Sequence, residues 1–233
     1  QSVMEPAERR RKGAHYTTEL NILKLIRPLF LDRLRDDFEE IKTRKGTDRR
    51  NKLLAFHDRL ANLSFFDPAC GCGNFLVITY RELRLLEIEL LKELYPANSM
   101  GLRQGVLDAA KLSKLDVDRF YGIEIEEFPA RIAETALWMM DHIMNVALSE
   151  AFGQYHKRIP LKKSPSIVCD DALEKDWASV LPPEKCSYVF GNPPFGGAKY
   201  QSDEQRAQVR RIANLGGSGG TLDYGTAWFI KAG

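Results

Sequence analysis

Leu63-Ser64-Phe65-Phe66 is a short apolar run of strand character that stops at Asp67-Pro68-Ala69-Cys70-Gly71-Cys72-Gly73-Asn74. The periodicity then changes. Phe75, Leu76, Ile78, Leu83, Leu86 and Leu90 recur at helical spacing, out to about Leu94, and Pro96 closes the run. Strand, glycine-rich turn and long amphipathic helix, in that order, open an α/β nucleotide-binding unit.

Three more strands follow the same plan. Arg119-Phe120-Tyr121-Gly122-Ile123-Glu124-Ile125 carries an acid at its end and leads into a helical run over residues 128–146, marked by Ile132, Leu137, Met140 and Ile143. Ile167-Val168-Cys169 ends in Asp170-Asp171, and residues 185–190 run into Gly191-Asn192-Pro193-Pro194-Phe195. Four successive strands therefore end in Asp67, Glu124, Asp171 and Asn192. In an open parallel sheet, ligands bind beyond the carboxyl ends of the strands. Four polar ends on one edge say more than any one of them.

Each end has its own chemistry. Gly71 and Gly73 allow positive φ and let the backbone approach a ligand. The helix after Asn74 offers free N–H groups and a partial positive charge. No lysine follows the turn, which argues against a P-loop and makes a carboxylate a better guest there than a phosphate. Asp67 beside it could receive an ammonium. Glu124 is placed to accept from both hydroxyls of a ribose. Asp171 could accept from an adenine amino group. Amino-acid zwitterion, ribose and adenine together spell S-adenosylmethionine. Taken singly, each of these acids could also be a helix N-cap, a reading that fits Asp171 best, Glu124 less, and Asp67 with its glycine turn least.

The fourth end is different. Pro193 and Pro194 remove two backbone donors and fix two φ angles, and Asn192 is pushed towards an extended backbone. The product is a stiff loop that holds an amide side chain, a carbonyl and an aromatic ring. It suits a planar, amine-bearing group, although alone it is an ordinary proline turn with a packed Phe. Cys70 and Cys72 invite a metal reading, but a zinc site needs about four ligands. Cys169 and Cys186 fall on strands, and His142 and His156 have no matching spacing. The two cysteines are read as small residues in a tight turn, with no metal.

Ahead of this core, residues 1–60 read as a helical segment and residues 61–233 as the α/β unit. Thr17 or Thr18 can cap the first helix, with Glu19 in its first turn. Leu20, Leu23, Ile26, Phe30 and Leu34 recur at helical spacing, Pro28 marks a kink or break, and residues 36–42 continue as a charged helix. Residues 42–50 are strongly basic around Gly46 and read as an exposed loop, either a solvated surface or a phosphate-contacting edge. Helix returns over residues 53–60. Residues 97–114 read as a loop with a short helix, residues 196–220 as polar and mobile, and residues 222–232 as a last helix.

Net charge is only +2, so any nucleic-acid surface must come from local clusters. Four cysteines suggest a reducing compartment, hence the cytoplasm. No apolar run approaches the roughly 20 residues that span a membrane, and the first twelve residues lack the apolar core of a signal peptide.

From about Arg11 onward the chain resembles the amino-methylating DNA methyltransferases of the gamma-ordered N6-adenine class. The likeness is to the methyltransferase part of single-chain restriction–modification enzymes of type IIG and their type IIL relatives. Gly13-Ala14-His15-Tyr16-Thr17-Thr18 is similar to the family's amino-terminal cofactor motif, and residues 67–75 to its glycine-rich motif. Residues 121–127 resemble the acidic ribose motif, residues 169–173 the adenine-contacting motif, residues 192–195 the catalytic motif, and residues 222–232 the helix after it. One such motif is weak; six in this order and spacing are strong.

The resemblance implies a Rossmann-like, S-adenosylmethionine-dependent methyltransferase sheet with helices on both faces. It implies that Tyr16 and Thr17 border the methionine end of the cofactor. Asp67, Ala69, Gly71 and Gly73 would hold it, Glu124 its ribose, and Ile125 and Asp171 its adenine. The partner would be double-stranded DNA with one adenine flipped out. The Asn192 side-chain oxygen and the Pro193 carbonyl would accept from the target amino group, and Pro194 and Phe195 complete the grip, Phe195 by stacking on the base. The family sheet usually has seven strands, whereas about four are countable here. The chain therefore reads as a fragment cut after the fourth main strand, with target-recognition and nuclease domains expected elsewhere in a full-length protein. Enzymes that methylate protein glutamine amides or guanine amino groups in RNA share the same grip. A non-catalytic, cofactor-binding fragment is the reading from another class.

Overall fold

A computed structural model of the chain describes residues 17–96, 111–153, 164–214 and 222–233. Four strands, β1 (Phe65–Asp67), β2 (Phe120–Glu124), β3 (Ser166–Cys169) and β4 (Tyr188–Val189), form one parallel sheet in the order β3-β2-β1-β4. Phe65 pairs in register with Phe120 on one side and Tyr188 on the other. The chain reverses strand order at β1, so the crevice between β1 and β4 is the switch point where open α/β sheets bind ligands.

Alternation along β1 divides the core. Phe65 faces a layer with Phe30, Phe120, Tyr188 and Phe190, their rings 4.8–6.5 Å apart. Phe66 faces the other way, towards Ile123, Leu173, Val209 and Trp228, with Trp177 edge-on at 5.3 Å. Helices cover both faces, as parallel strands require. The thick layer holds α1 (Glu19–Ile26), α2 (Asp32–Thr43), α3 (Gly46–Asn62), α4 (Asn74–Leu94) and α5 (Glu127–Ala151); the thin one holds α6 (Asp203–Ala213) and α7 (Thr226–Ala232). Among the described residues no helix is long and apolar enough to cross a membrane.

Pro28 does not break the first helix. Arg27–Leu31 widen into a π-helical turn, in which the Asp32 N–H reaches back to the Arg27 carbonyl, and α2 continues beyond it. A wider turn absorbs the donor that proline lacks. The expected basic loop is also helix from Gly46 onward. Arg49 pairs with Glu93 and donates to the Lys42 carbonyl, Arg50 donates to the Leu94 carbonyl at 3.2 Å, and Arg44 pairs with Glu40 at 2.9 Å. Arg49 and Arg50 thus tie α2 and the end of α4 to α3, where cations complement exposed carbonyls.

Two expectations change in the thin layer. The expected fourth strand of six residues is two residues long, because Pro183–Lys185 form a 3₁₀ turn just before it. The polar stretch after residue 196 contains a well-capped helix. Ser202 and Gln205 exchange side-chain-to-backbone bonds at 3.1 and 3.0 Å, and Asn214 ends the helix in the left-handed region. Of the expected loop over residues 97–114, residues 97–110 lie outside the described residues, as do residues 215–221.

Candidate active site

β1 delivers Asp67 to the switch point, where it is 1% exposed. Its Oδ1 accepts from the Ala69 N–H at 3.0 Å. Burial pushes its carboxyl up from 3.8 to about 7, against that hydrogen bond, and the charge of Glu124 pushes it further. Among the described residues no cation acts on it. An ammonium-like charge beside a buried acid in this state would restore its ionised form.

The glycines beyond it divide their work. Gly71 has φ +54, and a Cβ there would meet nothing within 4 Å. Its N–H donates to Glu124 Oε2 at 2.9 Å, so the turn after β1 is fastened to the acid that ends β2. Gly73 has φ +81, and a Cβ there would sit 2.9 Å from the Ala133 Cβ and 3.1 Å from its Cα. Its close approach is to α5. Glu124 Oε1 accepts from the Glu126 N–H at 3.0 Å, which leaves each carboxylate oxygen a further lone pair. Beside it Ile125 is 66% exposed, an apolar side chain held at the rim.

Asp171 lies two residues past β3. Its Oδ1 accepts from the Leu173 N–H and its Oδ2 from Gln208 Nε2, both at 2.8 Å. Gln208 belongs to α6 and also accepts from the Tyr224 hydroxyl at 2.8 Å. Burial, then the carboxylates of Asp171 and Glu174, push that hydroxyl up to about 12 and keep it a donor. The Tyr224 N–H donates to the Gly196 carbonyl at 3.0 Å, which continues the connection to the loop after Phe195. Trp228 Nε1 donates to the Pro68 carbonyl at 3.1 Å, and Lys231 Nζ donates to the carbonyls of Ala172, Leu173 and Lys175. The thin layer thus braces three of the four strand ends.

The loop after β4 is wedged against β1. Gly191 has φ +155, and a Cβ there would lie 2.3 Å from Asp67 Oδ1. Only a glycine lets the Asn192 loop close on that carboxyl. Gly191→Ala is expected to destabilise the fold by about 2–4 kcal/mol through overpacking and backbone strain, measurable by urea denaturation. Asn192, Pro193 and Pro194 are half-buried, and Phe195 is 67% exposed. Asn192 Nδ2 donates to Thr17 Oγ1 at 3.2 Å, across 175 residues of chain. Tyr16 lies outside the described residues. The structure therefore joins Asp67 with Gly191, Gly71 with Glu124, and Thr17 with Asn192, while Asp171 is joined to Gln208.

Residues 43–233 match the family described as the MmeI DNA-methyltransferase domain. The chain belongs to this family. It is 37% identical over 232 residues to DNA methyltransferase A of Bacillus subtilis (strain 168), covering 98% of this chain and 25% of that protein. Among solved structures it is similar to the type IIL restriction–modification enzyme MmeI in complex with DNA. There the sequence identity is 52% and the TM-score 0.90, over 100% of this chain and 30% of the MmeI chain. The family suggested by the six motifs is the one found, and the four-stranded sheet with helices on both faces agrees with the MmeI structure. The chain spans a quarter to a third of these MmeI-family relatives.

Sequence reasoning missed Gly191 and Gln208. Nothing local marks Gly191, whose constraint is a contact with a strand 124 positions earlier. Gln208 had a signal: the Ser202-x-x-Gln205 pattern ahead of Val209 and Ile212 announces a helix start.

Proposed function

We propose that this chain is the catalytic part of a restriction–modification enzyme that methylates the N6 amino group of an adenine flipped from duplex DNA, with S-adenosylmethionine as donor, in the bacterial cytoplasm. The observation that carries this reading is the wedge of Gly191 against Asp67, because it makes the expected cofactor acid and the expected target clamp two walls of one crevice. Adjacent parallel strands lie about 4.8 Å apart, so the four ends span roughly 15 Å, the scale of one extended nucleoside and its amino-acid tail.

The residues fit that cofactor. Asp67, a buried carboxyl, would take the amino group, Gly71 leaves open room beside it, and Ala69 borders the same turn. Glu124 keeps lone pairs for ribose hydroxyls, Ile125 offers an apolar face, and Asp171 stands at the adenine end, held by Gln208. When bound, S-adenosylmethionine supplies an electrophilic methyl group.

The chain's own part is orientation. Asn192 Oδ1 and the Pro193 carbonyl accept the two hydrogens of the target amine, which hold its lone pair towards the donor. Pro194 stiffens the loop, and the exposed ring of Phe195 offers a stacking face. Transfer of labelled methyl groups to mixed DNA, RNA and protein, followed by nucleoside analysis, tests this: N6-methyldeoxyadenosine supports it. Label in guanine of RNA or in protein glutamine would replace the substrate, and cofactor binding without transfer would leave a binding module.

The raised Asp67 carboxyl gives a pH dependence. Its folded value of about 7 lies above 3.8, so its contribution to the stability of the ligand-free protein is full below about 4 and is lost as pH rises through 7. Cofactor binding needs the ionised acid and has the opposite sign. The dissociation constant is expected to rise about tenfold per unit below pH 7 and to level off above it, with proton release on binding. Calorimetry in buffers of different ionisation enthalpy measures both. A flat profile from pH 5 to 8 would remove Asp67 from the amino-group role.

A further inference from the structure

We infer that Thr17 is a positioning residue for Asn192: its hydroxyl accepts from the amide N–H and so holds the amide in the orientation that leaves Oδ1 to the target. The inference rests on the proposal that Asn192 accepts from an amino group. It is a different role from the one expected of Thr17, bordering the cofactor, and rests on the bond that Thr17 Oγ1 accepts from Asn192 Nδ2 at 3.2 Å.

An asparagine amide has an acceptor end and a donor end, related by a half-turn about its last side-chain bond. A target amine brings two N–H donors and can be gripped only by Oδ1. If Nδ2 faced the amine, donor would meet donor. A hydroxyl can give or accept, so either orientation could satisfy Thr17 alone. With the amine in place, one arrangement satisfies both ends: Nδ2 on Thr17 Oγ1, and Oδ1 towards the site. The structure shows the first of these two contacts, Nδ2 on Thr17 Oγ1.

The anchor is stiff enough for this task. Thr17 stands two residues before α1, whose Ile22 and Ile26 are fully buried. The π turn that continues α1 places Phe30 with its ring centroid 4.8 Å from Tyr188 and 6.5 Å from Phe190, on either side of the strand end that leads to Asn192. On the other flank, Gly191 is pressed against Asp67. The amide is thus set by Thr17 from one side, and its backbone by Asp67 from the other. This gives the amino-terminal helix a role in the chemical step through a hydrogen bond that short-range pattern could not reveal.

Single-turnover methyl transfer at saturating cofactor tests this, together with calorimetry of S-adenosylmethionine. Thr17→Val keeps the shape and removes the acceptor. It is expected to slow transfer about tenfold or more and to leave the cofactor dissociation constant within about threefold. Thr17→Ser is expected to stay within about threefold of the parent, and Thr17→Ala to match Thr17→Val, so the conclusion does not depend on one variant folding well. In an Asn192→Ser background, which has no amide to orient, adding Thr17→Val should change nothing. The inference is overturned if Thr17→Val transfers at the parent rate, if its loss lies wholly in cofactor affinity, or if its effect persists undiminished beside Asn192→Ser. A parent-like rate for Asn192→Ser alone would instead remove the acceptor role of Asn192, and the inference with it.

Discussion

Asn192→Ala will lose at least about a thousandfold in methyl transfer while binding S-adenosylmethionine within about threefold of the parent. The magnitude follows from what preorganised polar groups contribute when they act on the reacting atom. Alanine removes the acceptor that orients the target amine, and the Pro193 carbonyl alone cannot hold two hydrogens. Binding should survive, because the groups offered to the cofactor lie on other strand ends: Asp67 on β1, Glu124 on β2, and Asp171 past β3. Single-turnover transfer and calorimetry on the same preparation separate the two effects. Loss of both together would mean that Asn192 belongs to the cofactor pocket, and the division of roles across the sheet would fall.

The second large effect lies far from the strand ends. Arg84 is 1% and Glu87 0% exposed, inside the thick helical layer. Arg84 contacts Asp141 at 3.0 Å, the Tyr80 hydroxyl at 2.7 Å and Asn145 Oδ1 at 2.7 Å. Glu87 meets His57 Nε2 at 2.7 Å and Arg84 Nε at 3.1 Å, and accepts from the Ser113 hydroxyl and the Lys114 and Leu115 N–H groups. Burial pushes the Glu87 carboxyl up, but the His57 hydrogen bond, the Arg84 charge and the Ser113 hydroxyl outweigh it and hold it below its ordinary value. Removing one partner leaves the others charged and dry. Arg84→Ala is expected to cost about 3–5 kcal/mol of folding stability, read by urea denaturation. Arg84→Met, which fills the space but removes the charge that faces Glu87 and Asp141, should recover little. Recovery to parent stability would mean that the cluster contributes packing and not charge.

These two effects mark the limits of what the sequence alone reveals. The turn from Asp67 to Asn74, the acid ending β2 and the proline loop are local patterns, each a few residues long, and they were legible because their physics is local. Long-range contacts were not. Glycine at 191 is required by a carboxyl on another strand, Thr17 meets Asn192 across 175 residues, and Gln208 holds Asp171 from a stretch whose polarity suggested mobility. Arg84 and Glu87 gave no local signal of their burial, since apolar periodicity places charged positions of an amphipathic helix in solvent, whereas α4 is packed around most of its circumference. The basic run near Gly46 read as an exposed loop, solvated or phosphate-contacting, because the acidic partner of Arg49, Glu93, is 44 positions further on.

The central claim is that one crevice, between the ends of β1 and β4, holds both the donor and the target amine. A crystal structure with S-adenosylmethionine and a DNA duplex tests it most directly. The account predicts the cofactor's amino group on Asp67, its ribose hydroxyls on Glu124, its adenine between Ile125 and Asp171, and a flipped adenine with its amino group on Asn192 Oδ1 and the Pro193 carbonyl. A cofactor bound with Asp67 still without a cation, or an amine gripped away from Asn192, would contradict it.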